Sequence, residues 1–186
     1  MDDELIRQCQ RGNAFAQKRL YDTYVNRMYR VCLRYVREET AAEEVLMNGF
    51  LKVFHALTHF QYRGEGSLEA WIKRIMVNEA LQHLRSTRHL PTLYPEEIVQ
   101  YEPDVGALPD GQLDAEQILE TIRRLPTGYR TVFNLYAIEG YSHREIAEQL
   151  SISENTSKSQ LSKARIMLQN ELIRHGYEAT ARRRNG

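Results

Sequence analysis

The chain has only two cysteines in 186 residues and no long run of apolar side chains. Two cysteines cannot form the disulfide framework of small secreted domains. Cys9 and Cys32 both lie on apolar faces of predicted helices, so we expect buried free thiols. The acidic N-terminus lacks the apolar segment of a secretory signal, and no stretch reaches the length of a membrane span. These absences predict a cytoplasmic protein without membrane insertion.

Sequence patterns of enzymes and metal sites are also missing. There is no glycine-rich phosphate loop, and no set of residues suggests a nucleophile with its base. His55 and His59 have the four-residue spacing of two metal ligands on one helix, but no glutamate lies between them and no third ligand follows at a fixed spacing. We therefore expect a protein that is not an enzyme and that binds no metal or cofactor.

The chain carries no net charge, with 25 Lys and Arg against 25 Asp and Glu, but the charge is unevenly distributed. Residues 1–90 hold 14 basic and 11 acidic side chains, residues 91–117 hold none and 7, and residues 118–186 hold 11 and 7. Two mildly basic segments therefore flank an acidic one. Because the local sign of charge governs the binding of a polyanion, this composition is compatible with a nucleic-acid partner.

Apolar residues recur at three- and four-residue steps, and no stretch alternates strictly enough for a strand, which predicts an all-α fold. Two stripes indicate long helices in the first half: Leu20, Tyr24, Met28, Val31 and Tyr35, then Ala42, Leu46, Phe50, Val53 and Leu57 with Phe54 beside them. A third helix is predicted to begin at an N-cap Ser67 and to run through Leu84. Further helices follow from Asp114, with a break at Pro126 and Gly128.

Residues 89–113 contain four of the five prolines, an acidic excess and few apolar side chains. This composition predicts a flexible linker. We therefore divide the chain into a first small helical domain (residues 1–88), the acidic linker, a second small helical domain (residues 114–176) and a basic tail (residues 177–186).

The second domain contains the pattern of a helix-turn-helix. Ser142 and Glu145 have the spacing of a capping box that begins a short helix. Ser151 and Ile152 form the predicted turn, and Ser153 is placed to cap a second helix, which we call the recognition helix.

A rotation of about 100° per residue puts short polar and basic residues of the recognition helix opposite its apolar side. This pattern is typical of a DNA-binding surface, although an ordinary helical hairpin with a solvated face would also produce it. The residues predicted to contact bases or phosphates are Asn155, Thr156, Ser159, Ser162 and Lys163, with Lys158 and Arg165 on flanking phosphates.

Two blocks of sequence carry a family resemblance. The first contains Ala42-Glu43-Glu44-Val45, Gly49-Phe50-Leu51-Lys52-Val53-Phe54, Gly66-Ser67-Leu68, Trp71-Ile72, Arg74-Ile75, Asn78 and Leu84-Arg85. The second contains Leu125-Pro126, Tyr129-Arg130, Val132-Phe133, Glu139-Gly140-Tyr141-Ser142, Glu145-Ile146-Ala147, Thr156, Lys158-Ser159, Leu161 and Ala164-Arg165. In this order, with the acidic linker between them, the blocks resemble regions 2 and 4 of the extracytoplasmic function (ECF) sigma factors, the small promoter-recognition subunits of bacterial RNA polymerase.

The resemblance implies that the chain directs core RNA polymerase to specific promoters and initiates transcription. It implies that the helix from Ala42 to Leu57 docks on polymerase, through Glu43, Glu44, Leu51, Lys52 and Phe54. The segment from Phe60 to Arg88 would bind the melted promoter, through Tyr62, Arg63, Asn78, Arg85 and Arg88, because an unpaired strand needs cationic and aromatic partners. The recognition helix would enter duplex DNA at the upstream promoter element, and an anti-sigma protein would be a further partner.

Several positions depart from the family pattern. Met47 and Asn48 replace the usual Gln and Glu of the docking helix, and Gln82 replaces a common Asp. Ser157 replaces an apolar residue, so that its hydroxyl either stays unpaired, at a cost of about 1–3 kcal/mol, or bonds a backbone carbonyl one turn back. Trp71 lies in an apolar stripe and is expected in the core, although a platform for base stacking is the alternative.

Two other functions stay open at this stage. A freestanding helix-turn-helix regulator would bind duplex DNA without polymerase, and a degenerate family member would act only as a protein-interaction module. Co-purification with core RNA polymerase separates them from a sigma factor, because only a sigma factor requires it.

Overall fold

The computed structural model describes residues 2–87 and 115–184. In these two ranges the backbone forms helices and turns but no strand, which confirms the predicted all-α fold. The chain divides into two compact units, Met1–His89 and Leu90–Gly186. The predicted linker, residues 89–113, lies outside the described residues.

The first unit is a bundle of four α-helices. They are α1 (Asp2–Gln10), α2 (Ala14–Tyr35), α3 (Glu39–Ala56) and α4 (Ser67–Ser86), with a short 3-10 helix (Leu57–His59) between α3 and α4. Helices α2, α3 and α4 pack against one another, and α1 packs against α2 and the 3-10 helix.

The core of this bundle is built from the two predicted apolar stripes. All ten stripe residues are buried: Leu20, Tyr24, Met28, Val31, Tyr35, Ala42, Leu46, Phe50, Val53 and Leu57. Cys9 and Cys32 are buried free thiols, as predicted, and burial raises the pKa of Cys32 to about 12. Gly49 brings α3 and α4 into close contact, because a Cβ at this position would overlap the sulfur of Met76.

The start of α4 differs from the prediction. Gly66, and not Ser67, is the N-cap residue, with a φ of 79° that glycine adopts at little steric cost. Ser67 is the first helical residue, and its hydroxyl donates to the Gly64 carbonyl at 2.6 Å and accepts the Arg63 N–H at 3.2 Å. Because these bonds engage its oxygen, Ser67 holds the preceding loop instead of capping the helix.

The second unit contains four α-helices among residues 115–184. They are α5 (Ala115–Arg124), α6 (Thr127–Phe133), α7 (His143–Leu150) and α8 (Glu154–Arg184), and a π-helix (Asn134–Ile138) continues α6. Helix α8 packs against α5, α6 and α7. The boundary that the sequence predicts at residue 177 lies within α8.

The corner between α5 and α6 is held by a buried arginine. Arg130 is 3% exposed, and its Nη1 donates to the carbonyls of Arg123 and Leu125, at 3.0 Å each. These carbonyls lie at the end of α5, where a helix leaves its last C=O groups without partners. The predicted break therefore occurs at Pro126 alone, and the prediction that Gly128 also breaks the helix is wrong, since Gly128 lies inside α6.

The predicted helix-turn-helix is confirmed as α7, a tight turn and α8. Ser142 caps α7 and forms a complete capping box with Glu145. Ser151 ends α7 in the left-handed region, with a φ of 55°, and so turns the chain sharply. The Ser153 hydroxyl accepts the Thr156 N–H at 2.9 Å, as expected of the residue that caps α8.

Candidate nucleic-acid and polymerase interfaces

One face of the recognition helix α8 is polar, basic and open to solvent. Five predicted DNA-binding residues lie exposed on it at three- and four-residue steps: Asn155, Lys158, Ser159, Ser162 and Arg165. Thr156 and Lys163 are half-buried at its edges. Leu161, Ala164 and Leu168 are buried on the opposite side, as the sequence predicts. The helix therefore separates its apolar contacts from its polar ones.

Two hydroxyls of this face bond within the helix. The Thr156 hydroxyl lies 2.8 Å from the Ser153 hydroxyl at the start of α8. The Ser159 hydroxyl donates to the Thr156 carbonyl at 3.1 Å, which leaves its oxygen able to accept. Asn155 and Ser159 can thus present polar atoms to base edges, whereas Thr156 is held against the N-terminus of α8.

Ser157 is buried, and its partner lies on the other helix of the motif. Its hydroxyl is 2.9 Å from Nδ1 of His143, the first residue of α7. Neither outcome expected from the sequence is correct, since the hydroxyl is neither unpaired nor bonded to the backbone one turn back. Burial, followed by the positive charge of Lys158, lowers the pKa of His143, with Arg165 acting in the same direction and Glu154 against it.

Tyr136, in the π-helix, joins His143 to the recognition helix. Its ring stacks on the His143 imidazole, with centroids 4.5 Å apart and planes at 22°. The Arg165 guanidinium lies over the same ring, 5.8 Å from its centroid, in a cation–π contact. Sequence reasoning did not single out Tyr136 or His143. The available signal was that a polar residue at 157 needs a polar partner once α7 and α8 pack together.

Gln160 turns away from the exposed face of α8. A Cβ at Gly128 in α6 would lie 3.3 Å from its Oε1, so the side chain rests against the first turn of α6. The absence of a side chain at Gly128 gives this amide its space. Gln160 therefore belongs to the packing of α6 on α8.

In the first unit, the exposed face of α3 combines carboxylates with apolar side chains. Glu43 and Glu44 are exposed, Leu51 is 65% exposed, and Met47 is 54% exposed. Phe54 is half-buried and packs near Phe50, with ring centroids 6.1 Å apart. Large apolar side chains exposed side by side on a helix are typical of a protein-binding surface.

Lys52 differs from its neighbours because it is bound within the unit. Its ammonium pairs with Glu79 of α4, a carboxylate whose side chain is only 10% exposed, and it donates to Gln82 at 3.2 Å. Of the five residues predicted to bind polymerase, Lys52 thus has a structural role linking α3 to α4.

A cleft of about 440 Å³ opens between the 3-10 helix and the start of α4. Phe60 and Trp71 form one wall, with ring centroids 4.7 Å apart, and Arg63 and Arg74 line it. The prediction that Trp71 is a core residue is wrong, because it is half-buried at this wall. Aromatic rings beside guanidinium groups can stack a base and neutralise a phosphate.

The other residues predicted to bind the melted promoter are less closely grouped. Tyr62, 39% exposed, precedes Arg63 in the loop, and Asn78 and Arg85 are exposed on α4. Arg74 was not predicted as a site residue, although it is exposed four residues before Asn78 and so on the same helical face. Arg88 lies outside the described residues.

The histidine pair considered as metal ligands is not on one helix. α3 ends at Ala56, so that His59 lies in the 3-10 helix while His55 lies on α3. Among residues 3–87 and 117–174, no three His, Cys, Asp or Glu side chains are grouped to hold a metal ion. In the part of the chain that the structure describes, no helix is long and apolar enough to cross a membrane.

Comparison with known proteins identifies both units. Residues 20–90 match the family profile "Sigma-70 region 2", and residues 115–168 match "Sigma-70, region 4". The ECF RNA polymerase sigma-E factor of Haemophilus influenzae is 28% identical over 182 residues, which cover 92% of this chain and 95% of the relative. The chain belongs to the ECF sigma factor family.

Other proteins are also similar over most of the chain. The RNA polymerase sigma-H factor of Pseudomonas aeruginosa is 28% identical over 176 residues, 88% of this chain and 90% of its own. Among solved structures, CnrH in complex with the cytosolic domain of CnrY has a TM-score of 0.48 and 23% identity, over 91% of this chain and 95% of that chain. The sigma factor RpoE with the anti-sigma factor NepR, from Bartonella quintana, has a TM-score of 0.48 and 20% identity, over 84% and 96%.

The family sets the biochemical class of this ECF sigma factor. Sigma factors bind core RNA polymerase and promoter DNA, direct transcription initiation, and are not enzymes. The prediction of a sigma factor is confirmed, and the alternative of a freestanding regulator is not, because both sigma regions are present in order.

Proposed function

We propose that this ECF sigma factor uses three surfaces during initiation. They are the exposed α3 face for core polymerase, the cleft at Trp71 with the α4 face beside it for the melted promoter, and the exposed α8 face for the upstream element. The observation that carries the proposal is α8, whose continuous polar and basic face lies opposite a buried apolar one.

The decisive experiment is run-off transcription with purified core polymerase and a library of genomic fragments. Addition of the sigma factor should produce start sites that core enzyme alone does not use. If the pattern of transcripts with and without the chain is the same, the proposal fails.

Docking on polymerase is assigned to Glu43, Glu44, Met47 and Leu51, because these exposed side chains follow one another along α3. A few side chains that become fully buried contribute most of the binding energy at such interfaces. We expect Leu51→Ala to weaken binding to core polymerase about tenfold in a fluorescence titration. Phe15→Ala is the matched control, since Phe15 is an exposed apolar residue of α2, 87% exposed, that lies outside this face. Equal losses in both variants would disprove the assignment.

The role of Lys52 needs a different variant, because Lys52 pairs with Glu79. Glu79→Gln removes the pair but leaves the lysine charge on the α3 surface. If Lys52 contacts polymerase directly, Lys52→Ala weakens binding and Glu79→Gln does not. We expect the two variants to weaken binding equally, which is the result of a link between α3 and α4. A loss confined to Lys52→Ala would assign it to the interface itself.

For the melted promoter, we assign Tyr62, Arg63, Asn78, Arg85 and Arg88, with Phe60, Trp71 and Arg74 added from the cleft. The support is the combination of two aromatic rings in tilted contact and guanidinium groups on one cleft. Base stacking on an aromatic side chain contributes about 1–3 kcal/mol per base. Tyr62→Ala and Arg63→Ala in the holoenzyme should each weaken binding of a single-stranded promoter oligonucleotide. Lys18→Ala, at an exposed position of α2 outside the cleft, should not. An equal loss with Lys18→Ala would indicate an effect of charge alone.

For the upstream element, α8 contributes two classes of contact. Asn155, Ser159, Ser162 and Lys163 are assigned to base edges and nearby phosphates, Thr156 to a phosphate near the N-terminus of α8, and Lys158 and Arg165 to flanking phosphates. Asn155→Ala or Ser159→Ala should change the preferred sequence, with a loss of about 1–3 kcal/mol at the affected base. Lys158→Ala should weaken binding to all sequences and flatten the salt dependence. A promoter-library selection distinguishes these outcomes, and the face is wrong if only Lys158→Ala changes the selected motif.

Two further assignments follow from the family. The chain should act in the cytoplasm, where core polymerase and chromosomal DNA are found, and an anti-sigma protein should hold it inactive. The α3 face assigned to core polymerase carries exposed apolar side chains, and an inhibitor would cover the same side chains. We therefore expect an anti-sigma protein to compete with core polymerase. A purified inhibitor that binds without displacing core enzyme would contradict this expectation.

A further inference from the structure

We propose that the pair His143–Ser157 positions the recognition helix and thereby sets its base preference. This inference rests on the proposed role of α8 in reading the upstream element. Neither side chain belongs to the exposed face itself, since Ser157 is buried and His143 is half-buried. Both are therefore positioning residues that act through the neighbouring Asn155, Lys158 and Ser159.

The first argument is the location of the hydrogen bond. Ser157 lies in the first turn of α8, between residues 155 and 159, and bonds to the first residue of α7 at 2.9 Å. A hydrogen bond has a preferred direction, whereas an apolar contact tolerates sliding and rotation. Asn155 and Ser159 lie on the same helix as Ser157, at fixed angles set by the rotation of about 100° per residue. A small rotation of α8 about its axis at Ser157 therefore redirects both side chains. The bond thus fixes the N-terminal turn of α8.

The second argument is that the pair belongs to a layered cluster that joins three elements. Tyr136 of the π-helix stacks on His143, and Arg165 of α8 covers Tyr136 at 5.8 Å. His143 is therefore held by its ring face and by its Nδ1 atom. Ser157 fixes one point of α8 and Arg165 a second point about two turns further on, and two points define the rotation of a helix.

The third argument is that the hydrogen bond is needed in a buried site. A buried hydroxyl without a partner is unfavourable, so Ser157 is compatible with this position because His143 is opposite. The groups around the imidazole are Tyr136, Ser157, Lys158, Arg165 and Glu154. Burial and the two cations lower the pKa of His143, which favours the neutral ring, and the bond to Ser157 engages its Nδ1 atom.

Two substitutions at His143 separate the hydrogen bond from the stack. His143→Phe retains a ring against Tyr136 but cannot bond to Ser157, and His143→Asn retains a polar atom near the position of Nδ1 but removes the ring. Ser157→Ala removes the hydroxyl from the other side. The measurement is the ratio of holoenzyme affinities for the preferred promoter and for an unrelated duplex, together with the selected upstream motif.

We expect His143→Phe and Ser157→Ala each to lower this ratio about tenfold and to broaden the motif. The double variant should lower it no further than either single variant, because both remove the same bond. His143→Asn should lower the ratio less than His143→Phe does, because its side chain keeps a polar atom near the position of Nδ1. Affinity for the unrelated duplex should stay unchanged, and a purely structural role would lower both affinities together.

A spectroscopic readout on the unmodified chain does not depend on any variant folding. The ¹⁵N shifts of the His143 ring should show one fixed tautomer, and Ser157→Ala should release it to the mixture of a free imidazole. A mixed tautomer in the unmodified chain, independent losses that multiply in the double variant, or an unchanged motif would each overturn the inference. If Asn155→Ala and Ser159→Ala also leave the motif unchanged, the proposed reading by α8 fails; if they change it, only the inference about His143 fails.

Discussion

Arg130 shows how a buried positive charge can bond to backbone carbonyls at the end of a helix. Its two hydrogen bonds to the carbonyls of Arg123 and Leu125 bring a full positive charge to the negative end of α5. Hydrogen bonds from a charged donor are stronger than neutral ones. The side chain thus fixes the angle at which α6 leaves α5, and α6 in turn supports α8.

We expect Arg130→Met to destabilise the second unit by about 2–4 kcal/mol, because it leaves buried carbonyls unpaired. Arg130→Lys should cost less, since the charge remains but the planar fork is lost. Hydrogen exchange of α8 amides measures the change. Arg124→Met is the control, because Arg124 forms a surface pair with Glu120 and should cost less than about 1 kcal/mol. Equal effects at 124 and 130 would contradict the role of the buried bonds.

Ser151 illustrates a residue in a conformation that its type disfavours. An L-residue in the left-handed region is strained by about 1–2 kcal/mol, and glycine avoids this strain at an entropic cost of about 0.4–1 kcal/mol in the unfolded chain. We therefore expect Ser151→Gly to stabilise the second unit by about 0.5–1 kcal/mol and Ser151→Val to destabilise it. Urea unfolding followed by circular dichroism measures both. Ser162→Gly, inside α8, should have the opposite sign, and the same sign at both positions would refute the explanation.

At the scale of elements, α3 and α4 approach each other at Gly49 and are joined further along by Lys52 and Glu79. The approach depends on a missing side chain, because Met76 is fully buried and fills the space that a Cβ would need. The interface is therefore closely packed on its inner side and charged on its outer side. Both features hold the exposed face of α3 in place.

Gly49→Ala should destabilise the first unit by about 1–3 kcal/mol, since forced repacking outweighs the helix propensity gained. Met76→Ala alone should cost about 2–5 kcal/mol through the cavity it creates. The double variant should cost clearly less than the two together, because the new methyl group enters that cavity. Trp71, the single tryptophan, reports the unfolding of this unit by fluorescence. Additive costs would show that the two residues do not share the space.

The helices themselves could be predicted from sequence because their signals are local. Apolar periodicity located α2 and α3, and cap spacing located the starts of α7 and α8. Two misses at the candidate site involve partners distant in sequence. His143 meets Ser157 14 residues away, and Lys52 meets Glu79 27 residues away. Such contacts depend on how helices cross, which no short window of sequence contains.

On the scale of the whole molecule, the two units are assigned different steps of the same reaction. The second unit would contact duplex DNA, and the first would hold polymerase and the separated strand. A defect in one unit should therefore be corrected by a template that makes its step unnecessary. The acidic segment between the two units lies outside the described residues, and the prediction requires only that it connects them.

We expect Arg63→Ala to reduce transcription from a duplex promoter and to recover on a template with a preformed bubble at the start site. Lys158→Ala should reduce transcription on both templates, because the upstream duplex is the same in each. Single-round run-off assays at two salt concentrations measure this difference. Recovery of Lys158→Ala on the bubble template would contradict the assignment of Lys158 to duplex binding. No recovery of Arg63→Ala on that template would contradict the assignment of Arg63 to the separated strand.

The π-helix at Asn134–Ile138 has a consequence for how this chain can change in length. A π turn contains about one residue more than an α turn, so this segment accommodates one extra residue while the helix continues. Loss of one residue here would restore α-helical geometry and swing Tyr136 by about 100° around the axis, away from His143 and Arg165. Loops tolerate insertions and deletions, but at these five positions such a change would remove the contacts that Tyr136 makes. The DNA-binding motif therefore requires a fixed number of residues between α6 and α7.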